Sequence, residues 1–98
     1  MDTQHTVSQW AEETFGPATD PSVLVRRAEN ELQELAQAVT DGDTEEIGKE
    51  TADVVILLMR LLEQSQLSLS DEIDKKMREN RARTWIKKGD GTGSHVKA

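Results

Sequence analysis

The 98-residue chain has no cysteine and no tyrosine. Without cysteine there is no disulfide framework and no thiolate metal site, which fits a reducing compartment. Aromatics make up only 3% of the residues, namely Trp10, Phe15 and Trp85, so any core is aliphatic and small. There are two prolines, Pro17 and Pro21. A basic start followed by an apolar stretch is missing as well: "MDTQHTVSQW" is not expected to act as a signal peptide. The run Val54–Leu62 is apolar except for Arg60, and it is far shorter than the roughly 20 residues that span a bilayer. These absences lead us to expect a soluble, cytoplasmic protein with no membrane partner.

What is present is charge, unevenly placed. The net charge is −7. Residues 1–70 carry 4 Lys/Arg against 14 Asp/Glu, and residues 71–98 carry 8 against 5. An acidic body is a poor match for a nucleic-acid polymer, because neutralising phosphate dominates that affinity. It suits a cation together with a small polyanion, although a solvated acidic surface has the same composition. The length makes one domain, residues 1–98, with a modest core that oligomerisation would complete.

Periodicity divides the chain into four helical segments, and the expected class is an all-α bundle. The first runs from about Thr6 to Phe15 and ends at Gly16-Pro17. After the loop "GPATDPS", Asp20 is the expected N-cap, with Pro21 at the first helical position. The second helix reaches about Val39, with Ala28, Leu32, Leu35, Ala36 and Val39 on its apolar side. Gly42 is a natural left-handed cap, and Asp43 with Glu46 resembles a capping pair. The third helix covers about Thr44 to Gln66. A fourth, capped by Ser68 or Ser70, is expected to reach Trp85–Lys87. A flexible Gly-rich tail follows over about 88–98, and no strand is expected. "DGDTEE" opens like a calcium loop but lacks the sixth-position glycine and the twelfth-position glutamate. "GDGTG" has no preceding strand and no Lys-Ser/Thr. Both are read as turns.

The third helix raises the chemical question. In "EEIGKETADVVILLMRLLEQ", Glu50 lies on the stripe that carries Ile47, Val54, Leu57 and Leu61, where burial would be expected. The tight turn at Gly42 makes helices two and three an antiparallel hairpin. Glu34 and Glu50 are each eight residues from Gly42, and Glu31 and Asp53 are each eleven. Both acid pairs are spaced i, i+3 and share a face. Four carboxylates therefore converge roughly 12–16 Å from the turn. Such a cluster repels itself unless a cation occupies it or some of its acids hold protons. An all-carboxylate set favours a hard divalent ion, Mg²⁺ or Mn²⁺. Glu31 and Glu34 alone would read as a solvated helix edge. Glu46, one turn before Glu50, fits an extra ligand, a base or a capping residue.

The same residues carry a family resemblance. "ELQE" (Glu31–Glu34) and "ETAD" (Glu50–Asp53), fifteen residues apart, resemble the E-x-x-E…E-x-x-D signature of the MazG-like all-α NTP pyrophosphohydrolases. "WAEETFGP" (Trp10–Pro17) and "KMRENRARTW" (Lys76–Trp85) resemble the dATP/dGTP diphosphohydrolase branch, common in phages and bacteria. The likeness covers about residues 8–95. The tail "KKGDGTGSHVKA" departs from the Trp-rich ending of many members, which leaves base preference open.

The resemblance implies a nucleoside triphosphate diphosphatase that gives a monophosphate and pyrophosphate. Purine deoxynucleotides (dGTP or dATP) would be its substrates, in a bacterial or phage-infected cytoplasm. Glu31, Glu34, Glu50 and Asp53 would hold two or three Mg²⁺ ions, with Mn²⁺ as a substitute. Glu34 or Glu46 would take a proton from the attacking water. Lys76, Asn80 and Arg83 share a face of the fourth helix and would hold phosphates. Trp10 would stack on the base. Trp85 and Phe15 are expected mainly to pack, and Met59 and Met77 to lie in core or interface. Val54–Leu58 is apolar round most of its helix, which leads us to expect a homo-oligomer, dimer or tetramer. A non-catalytic helical oligomerisation or regulatory module is the competing expectation, and a DNA-binding helical protein ranks third.

Overall fold

A computed structural model describes residues 1–97 of the chain, and Ala98 lies outside the described residues. Each helix begins where a short polar side chain satisfies free backbone N–H groups. Thr3 opens α1 (Gln4–Phe15) through a reciprocal capping box with Thr6. The carboxylate of Asp20 accepts from the Ser22 backbone at 3.0 Å and from its hydroxyl at 2.8 Å, at the start of α2 (Ser22–Asp41). Asp43 accepts from the Glu46 N–H at 3.1 Å and opens α3 (Thr44–Gln64). Ser68, not Ser70, caps α4 (Leu69–Ala82).

Several boundaries differ from those expected. Helix α1 starts two residues earlier, because Thr3 rather than a later residue closes the box. Helix α2 begins at Ser22, one residue after Pro21, and runs past Val39 to Asp41. Helix α3 stops at Gln64, where Ser65 caps it and Gln66 turns to φ 60°. The largest correction is at the C-terminus. Helix α4 ends at Ala82, and Trp85–Lys87 is strand β1, paired antiparallel with β2 (Gly93–His95) inside the expected tail. "GDGTG" is the turn of this hairpin: Asp90 accepts from the Thr92 N–H at 3.0 Å, and Gly89 and Gly91 have positive φ. A Cβ at Gly93 would meet the Ile86 carbonyl oxygen at 2.5 Å, so the pairing requires glycine there.

Helix α3 is central, with α2 packed along it and α1 against its second half. The buried residues are few and mostly small: Ser8, Ala11, Leu24, Ala28, Ala38 and Val54. On α2 the covered side runs through Leu24, Ala28, Leu35 and Ala38. Leu32, Ala36 and Val39, expected inside, are exposed. They lie roughly 90° round the helix, on an apolar arc wider than one partner helix covers. Helix α4 buries none of its own residues and has no comparable packing partner among the described residues. Met59 is half-buried, while Met77 is exposed. Among the described residues, no helix is long and apolar enough to cross a membrane.

Polar contacts fix α1 and its following loop to α3. Gln4 donates to Glu63 at 3.0 Å and to the Leu67 carbonyl at 2.8 Å, and it accepts from the Leu69 N–H at 2.7 Å. Gln64 exchanges two 3.0 Å bonds with the backbone of Ala18. His5, which has no partner evident from sequence alone, pairs with Glu63 at 3.0 Å.

The α2–α3 register depends on Gly42, which sits at φ 67°, ψ 25° and donates to the Ala38 and Val39 carbonyls. A side chain in this left-handed region costs about 1 kcal/mol or more. Gly42→Ala is expected to lower Tm by roughly 4–8 °C, and Gly42→Asn by less, since asparagine tolerates this region better. Thermal melts followed by circular dichroism check both.

Candidate functional site

The hairpin brings acids from both helices together near mid-length. Carboxylate oxygens of Glu31, Glu50 and Asp53 lie within 4.8 Å of one another. Glu34 is exposed and lies against Glu50 without joining that triplet. Glu31 and Glu50 are half-buried, and Asp53 is exposed. Among the described residues no lysine pairs with the group: Lys49 pairs instead with Glu45 and Glu46, each at 3.6 Å. Glu46 is thus engaged by a cation of its own helix, and its backbone N–H is held by Asp43.

Glu50 bears the strain of this arrangement. Its Oε2 is buried without a hydrogen-bond partner among the described residues. Its carboxyl is pushed up to about 7, first by sharing a proton with Glu31, then by desolvation and by Glu34 beside it. A group that must either hold a proton or meet a cation is what a divalent metal site requires before loading. The donors are all carboxylate oxygens, so the set fits a hard ion such as Mg²⁺ or Mn²⁺.

A cleft of about 760 Å³ adjoins the acids, with Glu31 and Asp53 in its wall. Trp10 and Phe15 of α1, the loop from Gly16 to Asp20, Arg27 of α2, and Ile56, Leu57 and Arg60 of α3 also line it. Trp10 is 57% exposed and meets Phe15 edge-on at 5.6 Å between ring centroids. Phe15, expected to pack inside, is 68% exposed, and the Arg60 guanidinium sits 5.9 Å from its ring centroid. Arg27, Arg60 and Phe15 are the lining residues that sequence reasoning missed. Arg27 carried a usable signal, since it precedes Glu31 by four residues on one helix face.

The residues expected to hold phosphate stand apart from this cleft. Lys76 pairs with Glu79 at 3.4 Å, and Arg83 pairs with the same carboxylate. Among the described residues the buried Asn80 amide oxygen has no partner, while its NH₂ donates to the Met77 sulfur at 3.7 Å. None of the three lines the cleft. Trp85 donates to the Asn80 carbonyl at 2.7 Å and meets the His95 ring at 5.9 Å, so it clasps the hairpin onto the end of α4.

An all-α bundle organised around an acidic helical hairpin defines the class. No family profile matches the chain. No curated protein matches it in sequence. Among solved structures, the MazG-like pyrophosphohydrolase of cyanophage S-2L, bound to dGDP and three catalytic Mn²⁺ ions per active site, is 25% identical. The match covers 97% of this chain and 90% of that one, with a TM-score of 0.80. The chain shares the all-α fold of that MazG-like protein over nearly its whole length.

The raised Glu50 carboxyl sets a pH dependence. From its ordinary 4.5 to about 7, the folded state holds a proton that the unfolded state has released. The metal-free protein is therefore expected to lose stability as pH rises through that window. Glu50→Gln removes this slope and raises Tm at pH 8 in EDTA above that of the wild type. A rise in Tm on adding Mn²⁺ is expected, growing with pH up to about 7 in the wild type and lost in the variant. Thermal melts at several pH values, with and without Mn²⁺, measure each effect.

Proposed function

We propose that the chain is a divalent-cation-dependent nucleoside triphosphate pyrophosphohydrolase that cleaves between the α and β phosphates. The observation that carries this reading is the convergence of Glu31, Glu50 and Asp53, with an unpartnered buried oxygen on Glu50, in a MazG-like chain. Those three carboxylates, with Glu34 beside them, would hold the ions; Mg²⁺ is the expected physiological metal, with Mn²⁺ as a substitute. The ions, when bound, neutralise phosphate charge and acidify a water.

The protein's own groups do the rest. Glu34 takes the proton from the attacking water: it is exposed beside the cluster, whereas Glu46 is held by Lys49. Oxygen attacks the α phosphorus, the α–β anhydride bond breaks, and pyrophosphate leaves. Trp10 stacks the base in the adjoining cleft, which excludes water from one of its faces. Arg27, one turn from Glu31 in the same wall, meets the phosphate chain as a forked donor. The Lys76, Asn80 and Arg83 row reaches phosphate only when α4 closes on a cleft. We propose that a homo-oligomer provides that closure, covering the exposed Leu32, Ala36 and Val39 on α2 and Ile73 and Met77 on α4. Purine deoxynucleotides are the proposed substrates, and the cytoplasm the proposed location.

The exposed apolar arc of α2 also favours the competing reading, a non-catalytic association module, and one assay separates the two. Incubation with each dNTP and Mg²⁺ is expected to release pyrophosphate and monophosphate, without orthophosphate. Glu50→Gln and Asp53→Asn are each expected to lower kcat/KM by at least about 100-fold while helical content is kept. An oligomer that cleaves no nucleotide would establish the module instead.

A further inference from the structure

The cleft has two chemically distinct ends. Its acidic end is Glu31 and Asp53. Its other end is an ordered series: Trp10 edge-on to Phe15, Phe15 under the Arg60 guanidinium, and Arg60 bonded to the Gly16 carbonyl at 3.4 Å. Arg60 lies seven residues beyond Asp53 on α3, roughly 10 Å further along the helix, whereas Arg27 is only one turn from Glu31. A nucleotide with its phosphates at the acids and its base against Trp10 therefore brings its base edge, not its phosphates, toward Arg60.

We propose that Arg60 reads the base and selects a 6-oxopurine, guanine or hypoxanthine, over adenine; this rests on the nucleotide reading of the same cleft. Three features carry it. First, the side chain is half-buried and held from two sides, by the Phe15 ring and by the Gly16 carbonyl, so its fork is preorganised. Second, among the described residues only one of its five N–H donors is used, and no acid pairs with it. Third, a guanidinium has donors only. Guanine and hypoxanthine present two acceptors, O6 and N7, to such a fork. Adenine presents an amino donor in place of O6, which leaves a donor facing a donor.

The competing role is mechanical. By this account Arg60 only anchors the Gly16-Pro17 loop, and a substitution would then affect every nucleotide alike. The test compares wild type, Arg60→Lys and Arg60→Gln on dGTP, dITP and dATP. Wild type is expected to favour dGTP and dITP over dATP. Either substitution is expected to lower kcat/KM for the two oxopurines, mainly through KM, by roughly 5- to 150-fold. The change for dATP should stay within a few-fold.

Binding is read separately, in EDTA, from Trp10 fluorescence in a Trp85→Phe background titrated with dGMP, dIMP and dAMP. The same base order and the same loss on substitution are expected. An equal loss for all three bases overturns the proposal in favour of the loop anchor, and so does a wild-type preference for adenine. The two readings fail differently. Hydrolysis that is indifferent to Arg60 sinks the base reader and keeps the enzyme. Arg60-dependent dGMP binding without cleavage of any triphosphate sinks the hydrolase and keeps the reader.

Discussion

Repulsion between carboxylates facing each other across one helical hairpin is the constraint around which the molecule is arranged. Gly42 sets the turn, the turn sets the register, and the register brings Glu31 to Glu50 and Asp53, with Glu34 against Glu50. Packing then holds the acids in place, because Leu24, Ala28 and Val54 bury the same hairpin. The chain relieves part of the repulsion by holding a proton on Glu50, and a divalent ion bound there would relieve it more fully. Folding energy thus holds the proposed site in tension, and a raised carboxyl beside an unpartnered buried oxygen is the local sign of that tension.

The rest of the fold follows from how little the chain buries. Leu24 is the largest fully buried side chain. Small residues let α2 lie close to α3, but they leave apolar surface over on the outer side of α2 and on α4. Polar clasps compensate where apolar packing is thin. Gln4 joins α1 to the α3–α4 link, and Gln64 grips the loop at Ala18. These clasps also shape the candidate site, since they hold Phe15 and Gly16 over α3 and so form the wall of the cleft.

The hairpin and its acids were legible in the sequence because both signals are local. A glycine cap and two i, i+3 acid pairs need only helical geometry to be placed in space. The cleft was less legible, because its wall depends on contacts between residues some 45 positions apart, such as Gln64 with Ala18. Phe15 and Arg60 therefore looked like packing and an interruption of an apolar run. The side of α2 that faces α3 was misjudged for a related reason. Its apolar arc is broad, and periodicity gives the arc without saying which half meets a neighbour. The C-terminal hairpin escaped notice because its strands have three residues each, too few for an alternation to register.

The most direct test of the central claim, that the acidic hairpin is a cation site, is anomalous diffraction at the manganese edge from crystals grown with Mn²⁺. The account predicts anomalous density bridging the carboxylates of Glu31, Glu50 and Asp53. A well-ordered crystal with those three side chains in place and no anomalous density among them would contradict it.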